Sequence, residues 1–187
     1  MIIHQTGQYN LDVTEPLDLT IIQLNGEDIQ VNLNFTEPDI QATIRSLTIG
    51  HDDQKSNLVV NLRHQAPRTS ATFDGRALMQ QSSQLAFRGL IKIEPTAKDT
   101  ESYLTHRSLL QDGARVSPIP ALEIENNEVQ ASHAVAVAQL DEDALFYLQS
   151  RGLSAPEATN LLTTAFIADV TDHLETSWHQ KITRIIR

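Results

Sequence analysis

Histidine and carboxylate side chains are the groups of this 187-residue chain that could bind a metal ion or transfer protons, because cysteine is absent. Without cysteine there is no thiol nucleophile, no disulfide and no thiolate metal ligand. The seven histidines show no His-Glu-x-x-His motif or other compact ligand spacing. They are His4, His51, His64, His106, His133, His173 and His179. We therefore predict no catalytic residue and no metal site, and a structural or surface role for most of the histidines.

His133 differs from the other histidines in its setting. It follows Ser132 and precedes Ala134-Val-Ala-Val-Ala138, a run of small apolar residues. A histidine inside such a strand is either hydrogen-bonded in the core or kept for chemistry. The residues alone favour the core position.

Other signatures of catalysis and of nucleic-acid or membrane binding are missing. The chain has no Gly-x-Ser-x-Gly elbow and no Gly-x-x-x-x-Gly-Lys-Ser/Thr phosphate loop. Its net charge of -10 argues against phosphate-backbone binding, which needs clustered Lys and Arg. The N-terminus has no basic segment and no long apolar run, so we expect no signal peptide and no membrane span. These features predict a cytoplasmic protein that is not an enzyme.

The spacing of apolar residues changes near Leu140. Before it, apolar and polar residues alternate in short runs such as Val31-Asn-Leu-Asn-Phe35, which is the pattern of half-buried strands. Turn-prone stretches such as Asn25-Gly26 separate the runs. After it the pattern becomes helical, and we predict a β domain over 1–140 and a helical segment over 141–187.

One stretch of the β region echoes itself after fourteen residues. The series Ala71, Phe73, Gly75, Ala77 recurs as Leu85, Phe87, Gly89, Ile91. An even offset keeps inward-facing residues inward, as the stacked coils of a solenoid require. An antiparallel hairpin or a β-sandwich would accept the same echo, so both stay open from pattern alone.

The helical segment carries readable start and stop signals. Asp141 is a predicted N-cap, and Gly152 stands where a helix ends in a left-handed residue. Ser154 and Glu157 form a predicted capping box at the start of a second helix. Its apolar stripe is predicted to comprise Ala158, Leu161, Leu162, Ala165, Phe166, Val170 and Leu174, with a possible extension through Trp178. Such a face either docks on its own domain or binds a partner.

Several short motifs follow one another between His64 and Val170. They are Phe73-x-Gly-Arg-Ala-Leu78, Phe87-x-Gly-x-Ile91, His106-Arg-Ser-Leu-Leu110, Leu122-Glu-Ile124, Val129-x-x-Ser-His133 and Gln139-Leu-Asp-Glu-x-x-Leu-Phe-Tyr-Leu-x-Ser-Arg-Gly152. In these motifs and in their order the chain resembles the SufB/SufD family of iron–sulfur cluster assembly proteins. The most specific motifs come last, upstream of and within the first predicted helix. The first 60 residues match the family only in their general pattern.

The resemblance implies a fold and a set of partners. It implies a right-handed parallel β-helix followed by C-terminal helices, pairing through the β-helix with a SufB-like partner or a second copy, and helices that hold a SufC-like ABC ATPase. It also implies that His133 is a candidate residue in cluster assembly. The candidate partner-binding residues are Leu145, Phe146, Tyr147, Arg151, Leu162 and Phe166. The chain looks like a shortened member of the family.

Departures from the family pattern limit what the resemblance implies for cluster chemistry. SufB-like chains commonly have cysteine where Arg107 stands and glutamate where Ala134 stands. SufD-like chains usually have cysteine at the position of Ala131. Because thiolate is the main protein ligand of iron–sulfur clusters, we expect no cluster on this chain alone, and a cluster only within a complex. The chain is closer to the SufD side, the structural half of the pair.

Two other functions stay open. One is a stand-alone β-solenoid interaction module, such as a homodimer, with no role in cluster assembly. The other is a metal-dependent enzyme of a β-barrel class that uses His106 and His133. The first expectation, a non-catalytic scaffold that pairs and docks an ATPase, is the one that the motifs favour.

Overall fold

A computed structural model describes residues 1–186, and strands make up 52% of these residues. The strands are β1 (Ile2–Ile3), β2 (Gly7–Val13), β3 (Leu17–Gln23), β4 (Asp28–Phe35), β5 (Gln41–Gly50), β6 (Lys55–His64), β7 (Ser70–Met79), β8 (Gln84–Ile93), β9 (Thr100–Leu110), β10 (Arg115–Ile124) and β11 (Val129–Gln139). The helices are α1 (Glu142–Ser150), α2 (Ala155–Thr171) and α3 (Thr176–Ile185).

The strands form two parallel sheets that the chain visits alternately. Sheet A has the order β1-β3-β5-β7-β9-β11, and sheet B has the order β10-β8-β6-β4-β2. In sheet A, Ser70 lies beside Gln41 on one side and Glu101 on the other. One coil therefore takes about thirty residues, and the chain completes about four turns. The predicted solenoid with a C-terminal helical segment is confirmed, and the N-terminal runs also form coils.

The fourteen-residue echo has a different meaning from the one expected. It relates β7 to β8, which belong to opposite sheets, so the offset spans half a coil rather than one coil stacked on the next. Phe73 and Phe87 face each other across the core, with ring centroids 5.8 Å apart and planes at 11°. The echo arises because the two sheets contribute matching apolar rows to one shared core.

At the corners between the sheets the chain turns through residues with left-handed backbone. Several of these are aspartates, which tolerate that conformation better than most residues. At one corner Arg68 donates to both carboxylate oxygens of Asp39 in the preceding coil, at 2.6 and 2.8 Å. The non-glycine residues with positive φ are Asp39, Arg68 and Asp99 at one corner, and Asp52, Gln81 and Asp112 at the other.

The outer faces of the two sheets differ in polarity. Sheet B exposes a column of amides in which Asn32 donates to Asn10 and Asn61 donates to Asn32, both at 2.7 Å. Sheet A instead carries a second apolar cluster on its outer face, and helices α2 and α3 cover it. On the sheet side this second cluster comprises Ile22, Leu24 just after β3, Leu47, Ile49, Leu78 and Leu109. On the helical side it comprises Ile167 and Val170 of α2, Leu174 between the helices, Ile182 of α3 and Ile186 just after it.

The predicted helix caps are present. The Asp141 carboxylate accepts the backbone N–H groups of Asp143 and Ala144 at 2.9 and 3.2 Å. Gly152 follows the end of α1 with a φ of 99°. At the start of α2 the Glu157 carboxylate accepts the Ser154 hydroxyl at 2.6 Å and the Ser154 N–H at 2.8 Å, and these two bonds lower the pKa of Glu157.

The predicted stripe of α2 is partly wrong. The buried residues of this helix are Ala158, Thr163, Ile167, Val170 and Thr171. Leu161 and Ala165, both assigned to the buried stripe, are exposed instead. Apolar residues surround most of this helix, so their spacing does not single out one face.

Two histidines are sealed between the sheets. His64 stacks on Phe35 at 4.4 Å, and its ring nitrogens hydrogen-bond Thr69 Oγ1 at 2.8 Å and Ser102 Oγ at 3.0 Å. Burial lowers the pKa of His64 to about 4. His106 stacks on Phe87 at 4.0 Å, and burial, followed by the charge of nearby Arg76, lowers its pKa to about 3. Both imidazoles are therefore neutral in the folded protein near pH 7.

The low pKa of His64 makes folding sensitive to acid. Above pH 6.5 the imidazole is neutral in both states, whereas below it the unfolded chain takes up a proton that the folded chain accepts only near pH 4. We expect the free energy of unfolding to fall between pH 6.5 and 4, with about 3 kcal/mol from this residue. In His64→Gln, urea titrations across this range should show a decline smaller by that amount. Measurements at pH 8 separate the packing loss from the titration, and an unchanged decline in the variant would contradict the assignment.

Candidate partner-binding surfaces

The solenoid has an open end at its last two strands. β10 pairs only with β8 and β11 only with β9, so each strand leaves one edge without a ladder partner in residues 1–186. The strands are ten and eleven residues long. Long unpaired edges are templates for pairing with another chain unless they are covered.

The open end is also apolar. β10 pairs with β8 in a register that sets Val116, Pro118, Pro120 and Leu122 beside core residues of β8, so these four continue the inward-facing rows. No further coil covers them among the residues described. Ile119 faces outward on the same strand with 53% of its surface exposed, and Ile124, Val135 and Val137 are also exposed. These side chains form an apolar rim around two free strand edges.

His133 lies in this open end and not in the core that its sequence neighbours suggested. It pairs in register with Leu104, which is 1% exposed, so it occupies an inward-facing row. Its side chain is nevertheless exposed, because β11 is the last strand of its sheet. A partner that extends the sheet would bring its own side chains close to His133. Its role in cluster assembly stays a prediction.

The metal-enzyme hypothesis required His106 and His133 to act together. They lie on adjacent strands, with His106 beside Val135, two residues further along β11 than His133. His106 is completely buried, and its Nε2 atom has no hydrogen-bond partner. Among residues 1–186 there is no group of three or more His, Asp or Glu side chains that could hold a metal ion.

The first helix forms a second exposed apolar surface. None of its residues is buried, and it packs against α2. Phe146 is 75% exposed and Tyr147 is also exposed, with the Arg151 guanidinium 5.2 Å from the Tyr147 ring centroid. Leu145 is half-buried. We call Phe146, Tyr147 and the exposed Leu161 of α2 the tail surface.

The other two candidate partner-binding residues are more engaged with their own domain. Leu162 and Phe166 are half-buried, and Phe166 packs against the second apolar cluster. The Arg76 guanidinium lies 5.8 Å from the Phe166 ring centroid. Arg76 itself is buried and pairs with Asp74 and, at 2.9 Å, with Asp169 of α2. Sequence reasoning missed this ion pair, because 93 residues separate its partners.

The helices of the chain have a further shared property. Across the described residues, none is both long and apolar enough to pass through a lipid bilayer.

The fold and its surfaces define a two-sheet parallel β-solenoid with free end strands and a docked helical tail. Residues 16–166 match the family described as SUF system FeS cluster assembly, SufBD core domain. The chain therefore belongs to the SufB/SufD family of iron–sulfur cluster assembly proteins.

Named relatives support the same family. The chain is 29% identical over 143 residues to the iron–sulfur cluster assembly protein SufB of Bacillus subtilis (strain 168). It is 28% identical over 143 residues to an iron–sulfur cluster assembly SufBD family protein of Staphylococcus aureus (strain USA300). Each alignment covers 76% of this chain and 31% of the relative. The chain thus aligns with about a third of the length of these curated relatives.

Substitution of two apolar residues of α2, one buried and one exposed, tests which face of this helix packs on sheet A. Val170 is 0% exposed and Leu161 is 49% exposed. Val170→Asp places a carboxylate in the second apolar cluster, and we expect it to lower the free energy of unfolding by about 3 kcal/mol or more. Leu161→Asp should change it by less than about 1 kcal/mol. Chemical denaturation followed by Trp178 emission measures both, and equal losses would show that α2 docks through a different face.

Proposed function

We propose that this protein is a non-catalytic scaffold of SUF-type iron–sulfur cluster assembly that acts in the cytoplasm. It pairs through the open end of its solenoid and docks a SufC-like ABC ATPase through residues 141–187. The observation that carries this proposal is the pair of long, free, apolar-rimmed edges of β10 and β11 in a member of a cluster assembly family.

Pairing through the open end is supported by the edges of β10 and β11 that have no neighbouring strand in the described residues. The free edge of β11 presents backbone N–H and C=O groups that another strand can satisfy. The free edge of β10 presents fewer, because Pro118 and Pro120 have no N–H. The apolar rim adds area that association removes from water. The partner is a SufB-like chain or a second copy of this chain. A partner strand against β11 would complete the surroundings of His133.

The outward-facing residues of β10 favour a second copy. Two identical edges related by a two-fold axis pair antiparallel. If Ile119 lies on that axis, Arg115 of one copy stands opposite Glu123 of the other, four residues away on either side. Pro118 then lies opposite Pro120 of the other copy, and because neither has an N–H group, the two copies meet there through side chains rather than through a hydrogen-bonded ladder. Arg115 forms no ion pair within residues 1–186, whereas Glu123 lies 3.4 Å from Lys92. The strand is thus complementary to itself in charge.

Docking of the ATPase rests on the tail surface. Phe146 and Tyr147 belong to the predicted partner-binding set and expose aromatic rings that their own domain leaves uncovered. Aromatic residues of this kind commonly anchor protein interfaces. Phe166 is a weaker anchor, because its ring is already packed beneath Arg76.

The iron–sulfur cluster is cargo in this proposal. The chain has no cysteine, so thiolate ligands would have to come from a partner chain. His133 is the residue that this chain would contribute, because its imidazole is exposed where a pairing strand would lie. The same lack of cysteine favours the second candidate function, a stand-alone β-solenoid interaction module with no cluster role.

Self-pairing of β10 predicts a specific pattern of charge reversal. Arg115→Glu places like charges opposite each other twice per dimer and should weaken self-association by roughly tenfold. The double variant Arg115→Glu/Glu123→Lys restores opposite charges across the axis and should recover most of that loss. Sedimentation equilibrium measures the dissociation constants.

A matched variant separates this effect from general charge. Lys55→Glu changes an exposed cation on the same face of sheet B, but on β6, two strands in from the free edge, and should leave self-association unchanged. A wild-type chain that stays monomeric, or a double variant as weak as Arg115→Glu, would rule out self-pairing in this register.

ATPase docking is tested with purified proteins. Wild-type protein should bind a SufC-like ABC ATPase encoded in the same genome, and Phe146→Asp should weaken binding by tenfold or more, since it puts a charge at an apolar anchor. Ile2→Asp, which alters an exposed apolar residue at the other end of the solenoid, is the control. Calorimetry that detects no association with wild type would leave the interaction-module function as the better account.

A further inference from the structure

A groove runs between the end of β3 and helix α3, on the side of the molecule away from sheet B. Its floor is apolar, because Ile22 and Leu24 of the second apolar cluster form it together with half-buried Ile185. Its volume is about 350 Å³. That size lies at the lower end of the range for small-molecule sites, roughly 300–1,000 Å³.

One wall of the groove is the indole of Trp178. His4 packs edge-on against this indole, with ring centroids 5.2 Å apart and planes at 62°. Lys181 holds its Nζ atom 4.4 Å from the indole centroid. These two contacts favour one orientation of the indole, which lowers the entropic cost of ordering it as an aromatic surface for a ligand.

The charge around the groove is predominantly positive, on a chain with a net charge of -10. Lys181 and Arg184 line it one turn apart on α3, and neither has a carboxylate within 4 Å in the described part of the chain. Glu27 stands on the opposite rim. Its carboxylate oxygens accept the backbone N–H of Asn25 at 2.9 Å and the Asn25 side-chain amide at 3.1 Å. Glu27 is thus engaged with its own turn.

We propose that this groove binds a small amphipathic anion with a flat apolar body and a single carboxylate or sulfonate group. The apolar body lies on Ile22, Leu24 and the Trp178 indole, and the anionic group lies between Lys181 and Arg184. A flat body fits because the indole offers a planar wall, and a single charge fits because two cations stand side by side on one rim. The site is separate from the open end and from the tail surface.

Trp178 makes the proposal directly measurable, because it is the chain's one tryptophan. The probe is anilinonaphthalenesulfonate, an aromatic body with one sulfonate, and the matched neutral probe is phenylnaphthylamine. We expect the sulfonate to quench Trp178 emission saturably at one molecule per chain and to shift the indole N–H resonance. The neutral probe should bind at least roughly tenfold more weakly.

Paired variants test the two cations. Lys181→Gln/Arg184→Gln should weaken binding of the sulfonate by at least roughly tenfold. Lys55→Gln/Arg88→Gln removes the same charge from exposed cations on sheet B and should leave the affinity unchanged. Thermal unfolding confirms that both pairs fold.

Three results would each overturn the proposal. The first is a sulfonate that binds without shifting the indole resonance, which would place it elsewhere on the molecule. The second is a neutral probe that binds as tightly as the sulfonate. The third is an affinity for the Lys181/Arg184 variant within twofold of the control pair.

Discussion

Everything in this molecule depends on the parallel hydrogen-bonded ladder between one coil and the next. Each inner strand satisfies its backbone only because the coils before and after it keep register, as Ser70 does between Gln41 and Glu101. The ladder sets which side chains point into the shared core, and a slip of one residue would turn every apolar row outward. It also creates the open end, because such a ladder stops at β10 and β11 without closing on itself.

The two outer faces show how one ladder supports two different surfaces. Sheet B keeps a polar exterior, where amides of successive coils bond to one another as Asn61 does to Asn32. Sheet A carries an apolar exterior, and α2 and α3 cover it while Arg76 holds Asp169. The helical tail is therefore part of the domain as well as a candidate docking element, and its contact with sheet A also forms the groove beside Trp178.

Much of the fold could be predicted from local signals in the sequence. Alternation marked the strands, and Asp141, Gly152 and Glu157 marked the ends of helices, because caps depend on residues a few positions apart. The length of a coil could not be found this way, since the echo of Phe73 in Phe87 relates two sheets rather than two coils.

The candidate sites were only partly visible in the sequence. His133 could be singled out, but its exposure depends on which strand comes last in its sheet, and neighbouring residues do not encode that. The buried face of α2 was assigned wrongly in part, because Leu161 and Ile167 are equally apolar and only sheet A decides between them. The groove joins Leu24 to Trp178, residues that are far apart in the chain.

The helical tail has a mechanical consequence for the solenoid. In a stack of coils each unit contacts only its neighbours, so such proteins can lose structure one repeat at a time from an end. Here Ile22, Leu47, Leu78 and Leu109 come from four successive strands of sheet A, and one helical layer packs on all of them. The helical layer links the coils along the length of the stack. It couples distant coils, because fraying of one coil would expose the apolar residues of the others, and we expect the array to unfold as one cooperative unit.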